Sequence, residues 1–235
     1  GTDPVDLDGW FLFDDSDALG WRVPVSVLGA GEFMVVFASG KDRALAGGEL
    51  HASFRLDSSG DYLGLYLPDR VTVVAEYAPG FPPQREDYSY GLEMEGGAVL
   101  ENPVYFSSPT PGSSNSPGFV DFVSDVAFSH GSGFFEQSFD VSLQSETPGA
   151  VIRYTIDGST PTPAGGLVYT NPVEVGDTTV LRVAAFLDGY APSYFDTRTY
   201  IFIETSDGTG GVLNQPRSPS GFPRTWGDGI LADYE

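Results

Sequence analysis

Three features of the sequence predict an all-β chain built as two tandem β-sandwiches of immunoglobulin-like size. Apolar and polar residues alternate over short runs, most clearly in Val151-Ile152-Arg153-Tyr154-Thr155-Ile156, and such alternation buries one face of a strand while wetting the other. The runs recur roughly every 8–12 residues between clusters of Gly, Pro, Asp and Ser, which is the rhythm of a sandwich. The chain has 235 residues, against roughly 100 for one immunoglobulin-like domain. Helices are disfavoured: no window keeps apolar residues at i, i+3, i+4 and i+7 beyond about two turns. The 30 Gly and 18 Pro interrupt most candidates.

Taken in order, the predicted strands of the first half are residues 9–13, 32–37, 50–54, 62–67, 71–77 and 88–92. Asp14-Asp15-Ser16-Asp17, Gly29-Ala30-Gly31, Asp57-Ser58-Ser59-Gly60 and Pro68-Asp69 separate them, because these residues supply positive φ, fixed φ or side-chain bonds to the backbone. The runs 62–67 and 71–77 predict a hairpin across Pro68-Asp69-Arg70. From Ser107 to Pro117 the sequence has neither periodicity nor bulk. A first domain over 1–112 followed by a semi-extended linker over 113–123 is therefore expected. A second domain over 124–204 holds predicted strands at 126–129, 139–144, 150–156, 168–169, 173–174, 179–186 and 197–203. Asp157-Gly158, closing the clearest alternating run, predicts a tight hairpin turn. Residues 205–235 are rich in Gly, Pro and Ser with Phe222 and Trp226 isolated, and predict an extended tail toward a further domain.

Charge narrows the classes of partner. The formal net charge is -22, from 33 acidic and 11 basic residues. It is spread evenly, with 6 basic and 18 acidic residues in 1–112 and 5 and 15 in 113–235. Affinity for DNA or RNA comes from neutralising phosphates with Lys and Arg, so one Lys and ten scattered Arg argue against nucleic acid, and against an anionic membrane surface. Uniform acidity suits an extracellular or salty medium, or loading with divalent cations. With no cysteine there is no disulfide, thiolate nucleophile or thiolate metal site. No apolar run approaches the ~18 residues of a membrane span. No Asn-X-Ser/Thr acceptor occurs. The opening Gly1-Thr2-Asp3-Pro4 and the ending Ala232-Asp233-Tyr234-Glu235 are those of a piece of something longer.

Two stretches resemble known families. Leu7-Asp8-Gly9-Trp10-Phe11-Leu12-Phe13-Asp14-Asp15, Phe33-Met34-Val35-Val36-Phe37-Ala38-Ser39-Gly40 and Phe54-Arg55-Leu56-Asp57-Ser58-Ser59-Gly60-Asp61-Tyr62-Leu63, closed by Tyr105-Phe106-Ser107-Ser108-Pro109-Thr110-Pro111-Gly112, resemble the lamin tail domain over residues 4–115. That family normally opens with a further strand or two whose closing phrase is not found here, which implies a sandwich edge that is open, replaced by a neighbour or incompletely folded, with an edge-strand dimer as one form of the replacement. Thr147-Pro148-Gly149-Ala150-Val151-Ile152-Arg153-Tyr154-Thr155, Asp157-Gly158-Ser159-Thr160-Pro161, Tyr169-Thr170-Asn171-Pro172 and Thr178-Thr179-Val180-Leu181-Arg182-Val183-Ala184-Ala185 resemble the C-terminal immunoglobulin-like module of chitobiases and hexosaminidases, over residues 124–203. The second resemblance implies an accessory module without catalytic residues. Their order, with Gly221-Phe222-Pro223-Arg224-Thr225-Trp226, is similar to large secreted or surface bacterial proteins that continue into a CotH spore-coat-kinase-like domain.

Few residues stand out as chemical candidates. Asp14, Asp15 and Asp17, with Asp8, put several carboxylates near one turn, as calcium requires with its 6–8 oxygen ligands. Their spacing is not that of a helix-flanked calcium loop, and Asp side chains capping backbone N–H groups explain such a turn equally well. No other cofactor is expected. Tyr190 and Tyr194, beside Gly189 and Pro192, are candidates for stacking on sugar rings. Trp10 and Trp21 flank the acidic turn, and Trp10, inside an apolar strand, is expected in the core. His51 and His130 are the only imidazoles. They fall in different predicted domains, and without a Gly-x-Ser-x-Gly elbow His51 is expected to be structural. The expected function is therefore non-catalytic: a spacer, docking or adhesion element of an extracellular or cell-surface protein, with polysaccharide, another surface protein or the parent's other domains as partners. The competing readings are a carbohydrate-binding module and, more remotely, a hydrolase.

Overall fold

The structure, a computed structural model, describes residues 3–14, 19–44, 48–95, 98–115 and 117–202. These residues form strands, turns and bends, with no helix among them. The fold is all-β, of immunoglobulin-like sandwich type, in two compact units, Gly1–Phe119 and Val120–Glu235. The predicted linker is partly structured. Phe119 exchanges two backbone hydrogen bonds with Tyr105, and Val123 is buried in the core of the second unit.

The first unit carries β1 (Val5–Asp6), β2 (Phe11–Phe13), β3 (Trp21–Arg22), β4 (Val27–Leu28), β5 (Val36–Phe37), β6 (Leu50–His51), β7 (Leu63–Tyr66), β8 (Val73–Tyr77), β9 (Ser89–Glu95) and β10 (Ala98–Phe106). Its main sheet has the order β3-β2-β7-β8. Strand β2 sits inside this sheet, with Leu12 opposite Trp21 on one side and Leu65 on the other. The predicted hairpin is β7–β8, with Leu63 opposite Tyr77. The Asp69 carboxylate accepts the N–H groups of Val71 (2.9 Å) and Thr72 (2.8 Å), an Asx-type bond set that lets Arg70 take a φ of 60°. Buried Leu7, Trp21, Val23, Ala52 and Phe54 form the core, and Trp10 packs against it half-buried.

The second unit carries β11 (Ala127–Phe128), β12 (Gly133–Phe135), β13 (Phe139–Val141), β14 (Leu143–Gln144), β15 (Val151–Thr155), β16 (Leu167–Val168), β17 (Val173–Val175), β18 (Thr179–Phe186) and β19 (Asp196–Phe202). Five strands make one sheet in the order β12-β19-β18-β15-β16. Every neighbouring pair in it is antiparallel except β12–β19, which is parallel, with Gly133 opposite Tyr200. Pairs β13–β17 and β11–β14 lie outside that sheet. The core joins them through Val141, Leu143, Val173, Val175, Leu181 and Val183, the inward positions of alternating strands.

The Asp157-Gly158 turn departs from expectation. It is not the tip of a two-residue hairpin: β15 pairs with β16, Arg153 opposite Val168, so the whole segment 156–166 lies between them. Gly158 has the expected positive φ, 78°. The Asp157 carboxylate, however, accepts the Ser159 N–H (2.9 Å) and hydroxyl (2.6 Å). Pro161 then lacks the N–H that a returning strand needs, and the chain runs on through a Thr162–Gly165 turn closed by two 3.1 Å backbone bonds.

Candidate functional site

The carboxylates of the acidic turn do not gather where the structure describes them. Asp14 is buried, Asp8 is paired with the Arg22 guanidinium at 2.9 Å, and Asp15 and Asp17 lie outside the described residues. Among the described residues no group of three or more His, Asp or Glu side chains is placed to hold a metal ion.

The carboxylates whose acidity is displaced belong to turns. Asp57 is held below the ordinary carboxylate range by the backbone N–H and then the hydroxyl of Ser59. Asp69 is lowered by the Thr72 hydroxyl and by the N–H groups of Thr72 and Val71. Asp157 is lowered by the Ser159 hydroxyl and N–H. A general acid needs the opposite displacement. The folded chain therefore binds fewer protons than the unfolded chain below the ordinary value of 3.8, so the stabilisation is complete above that pH and is lost as pH falls through the depressed values. Thermal melts should give a flat Tm from neutrality to about pH 5 and a decline only below the carboxylate range. A decline setting in near pH 6 would contradict this.

His51 is more deeply buried than the sequence implies. Its Nδ1 lies 2.9 Å from Ser39 Oγ, its Nε2 lies 3.5 Å from Glu49 Oε2, and its ring stacks on Phe37 at 5.2 Å. A serine, an imidazole and a carboxylate thus stand in line, an arrangement that no local sequence motif signals. Acyl transfer also needs N–H donors aimed at an oxyanion. The Ser39 N–H is donated to Phe37 O (2.9 Å) and the Gly40 N–H to Phe54 O (2.8 Å), so the nearest backbone donors are already engaged. The Ser39–His51 bond ties the segment after β5 to β6, and Glu49 flanks it from the same side of the chain as His51. His130, in the second unit, has its Nδ1 2.9 Å from the neighbouring Ser129 Oγ and packs on Phe139 at 4.6 Å.

The two tyrosines proposed for stacking have different environments. Tyr190 is half-buried against the core of the second unit, which removes a face from a ligand. Tyr194 is 53% exposed, and its N–H is held by Asp125 at 2.9 Å. Phe195, also exposed, lies 6.3 Å from Phe186 and under the Arg182 guanidinium at 5.9 Å. The exposed aromatic pair is therefore Tyr194 and Phe195.

Cavities open among the described residues of the first unit. One, of about 420 Å³, is apolar and runs along the core beside Leu7, Val23, Met34, Ala52, Phe54 and Leu65. Another, of about 330 Å³, is bounded by Tyr77, Phe81 and Tyr90, with Asp57, Ser58 and Gln84 among its polar neighbours. Tyr77 comes from β8 and Tyr90 from β9, and their rings are 5.9 Å apart at 47°. Phe81 stands edge-on to Tyr77, at 6.5 Å and 86°. Its loop is latched to the 57–61 turn by Phe81 N–H to Asp61 O (2.8 Å) and Gln84 N–H to Ser58 O (2.7 Å). Gly60 makes that approach possible: with φ at 115°, a Cβ there would stand 2.7 Å from Phe81 O. Gly60→Ala should cost about 1–3 kcal/mol in denaturant titration from backbone strain alone, and widen the cavity. Gly31→Ala, also at positive φ but with open space around its Cβ, should cost less. Equal losses would show that the contact with Phe81 is immaterial.

Residues 130–197 match the family model of the chitobiase/beta-hexosaminidase C-terminal domain. This stretch covers strands β12 to β18 and the start of β19, so the second unit is similar to that immunoglobulin-like module. Neither the curated proteins nor the solved structures gave a significant match to the chain.

Proposed function

We propose that the chain is a pair of non-catalytic modules from an extracellular or cell-surface bacterial protein, acting as spacer, docking or adhesion elements beside other domains. The observation that carries this reading is the employment of the polar side chains. Asp57, Asp69 and Asp157 close turns, Ser39 and His51 latch strands, and Asp125 holds the Tyr194 backbone. Similarity of residues 130–197 to the chitobiase/beta-hexosaminidase C-terminal domain supports an accessory role. The partners on this reading are the parent's other domains, a polysaccharide or a second surface protein, with self-association through an edge strand as a further route.

The test is turnover on panels of glycosides and of ester and phosphoester substrates. Rates should equal buffer blanks. Saturable turnover that scales with protein and disappears in Ser39→Ala would establish a hydrolase instead.

A second reading, carbohydrate binding by the second unit, is favoured by the exposed Tyr194 and Phe195. Polysaccharide pull-down should weaken by about 5–20-fold in Tyr194→Ala if that ring stacks on sugar. Binding unchanged in both Tyr194→Ala and Phe195→Ala would remove this reading.

A further inference from the structure

We propose that the 330 Å³ cavity between the 57–61 turn and the 78–84 loop binds a methylated ammonium cation, the group carried by choline and by trimethyllysine. The volume is at the small end of the range for ligand pockets, and the composition fits one, mostly apolar walls with a few polar groups at hand. Tyr77 and Phe81, four residues apart on one stretch of chain, and Tyr90 of β9 all line it. Interplanar angles of 86° and 47° make a poor flat platform for a sugar face. They suit a compact, rounded cation that touches several ring faces, whose quadrupoles present negative charge.

Charge around the cavity favours the same ligand. Asp57 borders it, and Asp61 lies in the same turn with its carboxylate accepting the N–H groups of Asp57 (3.1 Å) and Tyr62 (2.8 Å). The Ser59 bonds keep Asp57 ionised to unusually low pH. No Lys or Arg is among the cavity's bounding residues, and the net charge of -22 adds a field that repels anions and concentrates cations. The walls are also set before a ligand arrives. The two loop-to-loop backbone bonds fix Phe81 and Gln84, and Tyr90 is backed by Tyr105 with ring centres 4.8 Å apart. Such preorganisation reduces the ordering cost of binding. The inference is independent of the adhesion reading: the cavity would bind its cation whether or not the chain tethers anything.

The experiment is calorimetric titration of the full chain, at constant ionic strength, with choline chloride, trimethyllysine, 3,3-dimethylbutan-1-ol and N-acetylglucosamine. Choline and trimethyllysine should bind saturably at one site, and the tighter of the two identifies the source of the group. The butanol, which keeps the shape of choline without the charge, should bind at least about tenfold more weakly. Asp57→Asn retains the carbonyl that accepts the Ser59 N–H and removes only the charge. It should weaken choline about 3–10-fold and lower Tm only slightly, the share of stability that the ionised carboxylate supplies, with the far-ultraviolet spectrum of the folded chain retained. Phe81→Ala leaves the backbone latch in place and should remove measurable binding. Absence of saturable heat with both cations up to about 50 mM, a concentration that would reveal even millimolar affinity, would overturn the proposal. So would equal binding of choline and the butanol, a preference for N-acetylglucosamine, or full-strength binding in both variants.

Discussion

Replacing Tyr200 with alanine should destabilise the second unit by about 3–5 kcal/mol, the range for truncating a large buried aromatic. The side chain is fully buried in β19. Its ring meets Phe139 at 5.3 Å and 81°, and Phe135 at 5.7 Å and 68°, both edge-to-face. Such pairs add about 0.5–1.5 kcal/mol beyond their buried area. The hydroxyl donates to the His130 carbonyl at 3.0 Å, which ties the segment before β12 to the sheet that β12 joins. A domain holds about 5–15 kcal/mol of net stability, so the loss removes a large share of it. Denaturant unfolding measures this directly, and Tyr200→Phe, which deletes the hydroxyl alone, should cost only about 1 kcal/mol. An alanine variant within about 1 kcal/mol of the parent would mean that the unit is held together elsewhere.

Trp21→Ala should be nearly as costly, about 3–5 kcal/mol, and its consequence for the first unit larger. Leu7, Val23, Ala52 and Phe54 pack around the indole, which is itself only 3% exposed. The 420 Å³ apolar cavity opens beside four of those residues, so the neighbours of Trp21 already lack partners on one side and have little dispersion attraction in reserve. Loss of the indole should abolish cooperative unfolding of this unit. Amide hydrogen exchange reports it: protection at Leu12 and Leu65, paired at the centre of the main sheet, should fall to unfolded rates. Retained protection would show that the sheet stands without its tryptophan.

Strands with a clean two-residue period were legible in the sequence. Residues 179–186 form β18 over the expected span, with Leu181, Val183 and Ala185 buried at alternate positions and the small Ala184 buried between them. The predicted hairpin across Asp69 formed because both strands and the turn chemistry agree. Strand β10, the longest of the described strands, was missed because Pro103 interrupts it; the structure accommodates the proline with a shift of register between Val99 and Pro103. Short strands such as β3, where Trp21 does its packing, carry too few residues to show a period. Asp157-Gly158 does not close a two-residue hairpin because an Asp-Gly pair specifies only a local turn: Asp157 bonds to Ser159 while still bridging Val180, and the chain pairs back with β15 only at β16.

Sites were less legible than strands. The Ser39–His51–Glu49 line and the cavity beside Phe81 each join positions from separate segments, so neither leaves a spacing in the sequence. Phe81 and Gln84 sit in a Pro-rich loop without periodicity, and only their backbone bonds to the 57–61 turn bring them against Tyr77. Tyr190 shows the converse: its neighbours Gly189 and Pro192 suggest an exposed loop, yet the ring turns inward to cover the core.

The parallel pairing near the two ends of the second unit has a mechanical consequence. Phe122 bridges Ala191 in parallel, and farther along β12 runs parallel to β19. Pulling the ends of this unit in opposite directions therefore slides these segments along one another, so that their hydrogen bonds resist as a group rather than peeling apart singly. Rupture by such a pull then requires the bonds of this short ladder, three residue pairs long, to fail together.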